Sequence, residues 1–373
     1  MGLTTQDSQG LTLKAGIKKY VELRKPTTHM RGFFTRQTYD TTAIPLEIQR
    51  DNDYAAVDVL RGTAGNMNKS DIWTAKTIVP PFYHETFSMN SLRSYERIFG
   101  ESATMATTQA RAALANEVAI NLGKINSKII RAEEIQCVQA LETGVVVLKN
   151  GDNIDYKRRS NSLVDADSAG EGGYWTNTAA AVEKQLQKAA SFIREEGSSA
   201  AGVFDITMPS QAWIALQATD YFKTKANYNQ VKLLSINSPV QSSVGSTYHG
   251  QISAGSFIFN IWTYDATYLN DSGVRTRLSD ETKIIITPTE GAMFEMAYGA
   301  VDTIVKSSGA QSISGLSLAK GAADYYVWDN LDTNNLVHTM HMTSAPCARL
   351  ITVDMVYTLK VADTWVGDNP VQE

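Results

Sequence analysis

Two histidines, His338 and His341, stand three residues apart, a spacing at which imidazoles share a metal on a helix. Their neighbours Leu336, Val337 and Met340 read instead as extended chain, where residues three apart face opposite sides. His29, His84 and His249 have no companion ligands near them in sequence. Asp152, Asn153 and Asp155 offer calcium-type oxygens, but the glycine precedes them and no glutamate closes the loop. That segment and Asp51-Asn52-Asp53 read as solvated turns. Gly170-Glu171-Gly172-Gly173 lacks the lysine that reaches phosphates, and no GxSxG elbow exposes a serine nucleophile. Neither a catalytic residue, nor a metal site, nor a cofactor is expected.

Lys157-Arg158-Arg159 is the densest basic cluster. Without interleaved aromatics it reads as a solvated face or an intersubunit pairing site before it reads as a nucleic-acid patch. The 373 residues carry 34 basic and 39 acidic side chains, a net charge of −5. That balance excludes the basic excess of a sequence-independent phosphate binder, although weak contact with DNA is compatible with it. A hydrophobic share of 43% and a charged share of 20% mark an ordinary globular chain, long enough for two domains or one with extensions. Cys137 and Cys347 form no CxxC and are expected to be reduced thiols. The N-terminus lacks a signal-peptide apolar core, and no apolar run approaches the ~18–20 residues of a membrane span. A cytoplasmic protein is expected.

The elements that would position these groups can be read from hydrophobic periodicity. Leu13, Ile17, Tyr20, Val21 and Leu23 predict a short amphipathic helix that Pro26 ends, and such a helix needs a surface to dock on. Ile44, Leu46 and Ile48 alternate with polar residues as a strand does, with Pro45 suggesting an edge. A strand-like piece around Val57 and Val59, a polar tip from Arg61 to Ser70 and a return through Trp73, Ile78 and Val79 complete a long hairpin. Alone in water that hairpin is marginal. No proline occurs between Pro81 and Pro209, and apolar residues from Leu114 to Leu141 recur at three- and four-residue steps. They predict one helix over 107–142, far longer than the usual ~11–12 residues. A short strand is expected at 145–148 and a second helix over 178–196. A strand at 204–207 then leads through Pro209 into a third helix carrying Trp213, Ile214 and Leu216. Strands are expected at 256–263, 283–287 and 293–298, and a terminal one over 349–361.

Several segments resemble one family in order and spacing. Phe33-Phe34-Thr35-Arg36-Gln37-Thr38-Tyr39 before the Ile44 strand is similar to the opening of the lambda-type (E-type) major capsid proteins of tailed bacteriophages. Ile130-Arg131-Ala132-Glu133-Glu134 through Gln139-Ala140-Leu141 resembles their long helix. Tyr174-Trp175-Thr176, Phe204-Asp205 through Pro209 to Trp213 and Leu216, Ala297-Tyr298-Gly299-Ala300 and Ser344-Ala345-Pro346 follow in the family's order. The resemblance spans about residues 30–363.

It implies an α+β chain with the Hong Kong 97-type capsid fold. Residues 1–40 would be an N-terminal arm, 41–90 an extended E-loop hairpin and 91–176 a peripheral domain with a spine helix. Residues 177–340 would be an axial domain, and 341–373 a return to the peripheral domain. The implied function is a major capsid protein assembling into pentamers and hexamers of an icosahedral, DNA-filled phage head. Charges at the hairpin, Arg50, Asp51, Asp53, Arg61, Lys69 and Asp71, would then fix register between subunits. Implied partners are other copies, a scaffolding protein, a decoration protein, a portal protein at one vertex and non-specifically held double-stranded DNA, with no membrane. The alternatives are an encapsulin-like shell, a tail or ring protein of the virion, and a hydrolase acting through Asp or His residues.

Overall fold

A computed structural model describes residues 26–48, 74–90, 107–148, 152–227, 234–243, 245–270, 272–289, 294–303, 317–319, 324–332 and 337–365. The amphipathic segment at 13–23 and the hairpin tip lie outside them. In chain order the strands are β1 (Thr35–Thr38), β2 (Ile44–Ile48), β3 (Thr74–Ile78) and β4 (Tyr83–Asn90), followed by helix α1 (Thr107–Thr143). Then come β5 (Val145–Val147), β6 (Asn153–Asp155), β7 (Leu163–Asp165), α2 (Val182–Glu195), β8 (Val203–Met208), α3 (Ser210–Ala218) and α4 (Asp220–Asn227). Strands β9 (Leu234–Ser243), β10 (Ser246–Ala254), β11 (Phe257–Tyr264), β12 (Thr267–Leu269), β13 (Arg275–Arg277) and β14 (Lys283–Pro288) follow. The chain continues through β15 (Phe294–Tyr298), β16 (Val301–Thr303), β17 (Ser317–Ala319), β18 (Tyr326–Asp332), β19 (Val337–Ser344), β20 (Pro346–Leu350) and β21 (Tyr357–Lys360).

The layers follow from which side chains are apolar on which face. A seven-stranded mixed sheet runs β7-β21-β14-β8-β11-β10-β9. On β8 the alternate residues Phe204, Ile206 and Met208 enter one core with Val182, Leu186, Ala189 and Ile193 of α2 and Trp213 and Leu216 of α3. Ile285 of β14 turns to the opposite face, where it shares a second core with Cys137, Val138 and Leu141 of α1. That core also takes Phe294, Met296, Ala297, Cys347 and Leu350 from the three-stranded sheet β1-β15-β20. Helix α1 is thus packed between two sheets. Further toward its N-terminus, Ile125 and Ile129 pack with Met342 of a third sheet, β18-β19-β4, along with half-buried Tyr83 and Phe87.

Several boundaries differ from the sequence expectation. Helix α2 starts at Val182 and not near 178, because the preceding turn spends its backbone groups elsewhere: the Ala181 N–H donates to Gly172 O and the Asp220 N–H to Thr178 O. Thr219 separates α3 from an unexpected α4, its hydroxyl donating to Leu216 O and accepting from the Phe222 N–H, an N-cap. The terminal stretch is two strands, β20 and β21, in different sheets, split by a 3-10 turn at Val353–Met355. Strand β4 pairs with β19 and not with the hairpin strands.

The end of α1 is closed by Gly144, which the sequence offers as its stop, and by Arg158, which sequence alone hid. Gly144 has a φ of +73°, and its N–H donates to Ala140 O at 3.0 Å, the left-handed C-terminal cap. Beside it the Arg158 guanidinium donates to Leu141 O at 2.7 Å, Ser162 O at 3.0 Å and Val356 O at 2.9 Å. A cation here satisfies the orphan carbonyls and complements the helix dipole. Replacing Gly144 with Ala would place a Cβ 2.5 Å from Arg158 Cδ in a left-handed backbone. Gly144→Ala is expected to cost the subunit about 2–3 kcal/mol in denaturant-induced unfolding, and Arg158→Met a similar amount through unpaired carbonyls.

Candidate functional site

The chemically dense region is where the chain's entry segment meets α1. Glu133 and Glu134 sit in the C-terminal third of that helix and are both buried. The Glu134 carboxylate accepts the Met30 N–H at 3.0 Å, the Arg31 N–H at 2.9 Å and the Tyr264 hydroxyl at 2.8 Å. Glu133 pairs with Arg31 Nε at 2.8 Å and accepts the Tyr298 hydroxyl at 3.1 Å, while Arg31 Nη2 donates to that same hydroxyl at 2.8 Å. Burial pushes both carboxyls above the usual glutamate range, and Arg31 and the hydrogen bonds partly oppose it. His29, next in line, lies among Phe33, Trp262 and Tyr264 with its Nε2 3.2 Å from Thr207 Oγ1. Burial lowers its pKa to about 4, so the ring is neutral at physiological pH.

The same sheet edge carries the root of the hairpin. Ile44 pairs with Ile78 and Ile48 with Thr74 in a two-stranded antiparallel ladder, with neither strand joined to another sheet among the described residues. Ile44 and Ile78 are buried in the α1 core. The Ala300 N–H donates to Thr41 O at 3.0 Å, and Arg349 donates to Pro45 O at 2.6 Å while pairing with Glu295 at 2.7 Å. Arg349 also lies over the Tyr39 ring. Thus the hairpin leaves the body from a fixed footing.

Arg50, Asp51, Asp53, Arg61, Lys69 and Asp71, the expected register charges, lie outside the described residues. Several other candidates fall on described residues and have structural partners. Asp155 accepts the Lys157 N–H at 2.8 Å and pairs with Lys157 Nζ at 2.6 Å. Arg158 of the basic cluster points inward, contrary to a solvated or intersubunit reading, and Arg159 pairs with Glu196 and Asp354. Lys188 pairs with Glu171 of the glycine-rich turn. His249 stacks on Trp213 and bonds Thr263. Strand β19 is extended through His338 and His341, in place of the helical turn on which residues three apart share a face. His341 instead stacks on Trp328, ring centroids 3.8 Å apart, and meets His84 with 3.0 Å between ring nitrogens. The ring centroids of the two histidines are 5.2 Å apart, which sets the nitrogens nearly on the line of centres, as in an N–H···N hydrogen bond.

Sequence reading passed over three groups. The Glu133–Glu134 pair had a signal: Glu134 falls on the apolar stripe of Ile130, Val138 and Leu141, and a carboxylate there needs partners. The His84–His341–Trp328 stack and the Arg158 cap bring together residues far apart in sequence and had none.

Several solved structures are similar to this one. An E. coli CFT073 prophage protein described as its capsid protein superposes with a TM-score of 0.60 at 15% identity, over 97% of this chain and 100% of that one. The mature capsid of bacteriophage PhiM1 matches at 0.43 and 10% identity, over 90% and 87%. The SrpI encapsulin complex of Synechococcus elongatus matches at 0.43 and 11% identity, over 90% of each chain. No curated protein sequence matches significantly. The architecture is the Hong Kong 97-type capsid fold. The family model described as phage major capsid protein E matches residues 16–360, and the chain belongs to that family.

Three outcomes follow from this geometry. Glu134→Ala leaves two backbone N–H groups and a tyrosine hydroxyl without an acceptor, and is expected to cost about 3 kcal/mol and speed amide exchange at Met30 and Arg31. His29 is neutral in the fold and cationic when unfolded between pH 6.5 and about 4, so its contribution is full above pH 6.5 and lost on acidification through that window. Glu133 and Glu134, raised by burial, act in the opposite sense. The difference between wild type and His29→Gln in urea titrations at pH 7 and 4.5 isolates the histidine part, expected at about 1–2 kcal/mol. Cys137 and Cys347 are fully buried and burial pushes the Cys347 thiol up to about 11, so neither is expected to react with a thiol reagent before unfolding.

Proposed function

We propose that this major capsid protein forms pentamers and hexamers that close into an icosahedral, DNA-filled phage head. The observation that supports the reading is the two-stranded hairpin β2–β3: rooted on the body, paired among the described residues with no other sheet, and of a size that is marginal in water unless a surface receives it. Within this reading residues 1–40 are the arm and 41–90 the E-loop. Residues 91–176 form the peripheral domain with α1 as its spine, 177–340 the axial domain, and 341–373 the return. Arg50, Asp51, Asp53, Arg61, Lys69 and Asp71 pair with the adjacent subunit and set register; exposed pairs are worth about 0–1 kcal/mol each, so shell stability is a sum over many contacts.

Its work is structural and non-catalytic. It resides in the virion after assembly in the host bacterial cytoplasm, with a scaffolding protein, a decoration protein, a portal and the packaged DNA as partners. Negative-stain electron microscopy with light-scattering mass of the tag-free protein tests this. Closed shells or capsomer rings are expected. Deleting residues 53–72 should abolish them while leaving a folded subunit by circular dichroism. Tubes would point to a tail protein. A protein that stays monomeric at high concentration, even with lysate from phage-producing cells, would overturn the reading.

A further inference from the structure

Tyr83, Phe87 and Met342 turn one face of the β18-β19-β4 sheet toward α1. By strand alternation His84 and His341 stand on the opposite face, together with Trp328, the direct partner of His341 in the ladder. His84 Nε2 and His341 Nδ1 are 3.0 Å apart and lie nearly on the line joining the two ring centroids. Each ring therefore aims one nitrogen straight at the other. A proton on that line makes the N–H···N hydrogen bond, and a cation that accepts two nitrogens in line fits the same axis.

Three features decide which cation that is. Among the described residues no third His, Cys, Asp or Glu joins the pair in a group able to hold a metal. The four ligands of zinc and the oxygen shell of calcium or magnesium are therefore not supplied. Across the ladder the two histidines face Thr86 and Thr343, with no carboxylate to balance a second positive charge. The Trp328 ring lies parallel to His341 with centroids 3.8 Å apart, and 6.2 Å from His84. An ion between the imidazoles thus sits within the ~6 Å reach of cation–π attraction to an indole. We propose that His84 and His341 bind a monovalent, two-coordinate cation of the copper(I) type between Nε2 and Nδ1, beside the Trp328 ring.

Metal–imidazole bonds are about 2 Å long, so binding parts the two nitrogens from 3.0 Å to about 4 Å. His84 is exposed, and its side-chain torsions provide that opening. The proton on the shared line moves to the far nitrogen of its own ring, so both imidazoles ligate in the neutral form and none is released. The ion adds a tie between β4 and β19 at the strand that leaves the hairpin.

The site lies within one subunit and does not depend on the shell-forming reading. Silver(I), a closed-shell ion of the same two-coordinate habit that is stable in air, is the probe. It is titrated into the full chain at about pH 7.5, above the imidazole range. Bound metal is counted by equilibrium dialysis and tryptophan emission is followed in parallel. One silver per chain with partial quenching is expected, and copper(I) added under nitrogen should displace it. His84→Ala and His341→Ala should each weaken binding about tenfold or more, with circular dichroism unchanged. Trp328→Phe should remove the quenching while silver still binds. No binding by the unaltered chain would overturn the proposal. So would equal binding by both histidine variants, which would place the ion elsewhere, the buried thiols included. Zn²⁺ held as tightly as silver would overturn the two-coordinate geometry, and quenching that survives Trp328→Phe would overturn the placement beside the indole. Silver bound as expected by a chain that forms no shells would remove the capsid assembly reading and leave this site standing.

Discussion

Two adjacent glutamates are taken out of water in the C-terminal third of α1, and the way they are satisfied organises the molecule. A buried carboxylate without partners costs several kcal/mol, so Glu134 must find donors, and it finds them in the backbone of Met30 and Arg31. Glu133 needs a cation, and Arg31 supplies it. Because Tyr264 and Tyr298 donate to the same carboxylates, strands β11 and β15 are tied to one turn of α1 along with the entering chain. The entry point of the N-terminal segment is therefore a fixed coordinate of the body.

The same helix is pinned at its C-terminal end by Arg158, whose guanidinium holds the last carbonyls of α1, the 3-10 turn at Ser160–Ser162 and the run into β21. Between the two pins α1 is packed against sheets on both sides. Its mid-section is consequently buried almost all round, with Gln136, Cys137, Val138, Ala140 and Leu141 each nearly or fully out of solvent. Such a helix transmits position between the two cores it separates. A shell protein, whose neighbours load it from several directions, benefits from a member that cannot bend independently of either sheet.

What leaves this rigid body is correspondingly simple. The β2–β3 hairpin departs from Thr41, Pro45 and Ile78, all held by backbone bonds or core contacts. A hairpin fixed at its base has its direction set by the body it leaves, and a two-stranded ladder is marginal in water by itself.

The long helix, the hairpin strands, β8 and β14 were legible from periodicity because each has one chemically distinct face over enough residues to overwhelm local noise. The family resemblance was legible for a related reason: short apolar and aromatic motifs in fixed order reflect where cores must form. The satisfaction of Glu133 and Glu134, the inward turn of Arg158 and the His84–His341–Trp328 stack depend on residues from 13 to more than 250 positions apart being brought together. The late start of α2 and the splitting of the terminal strand have the same origin, since backbone groups were claimed by tertiary partners. Sequence determined which segments would be helix, strand or hairpin, because that depends on neighbours in the chain. Tertiary structure alone decided which polar groups are buried and by whom they are satisfied, because that depends on neighbours in space.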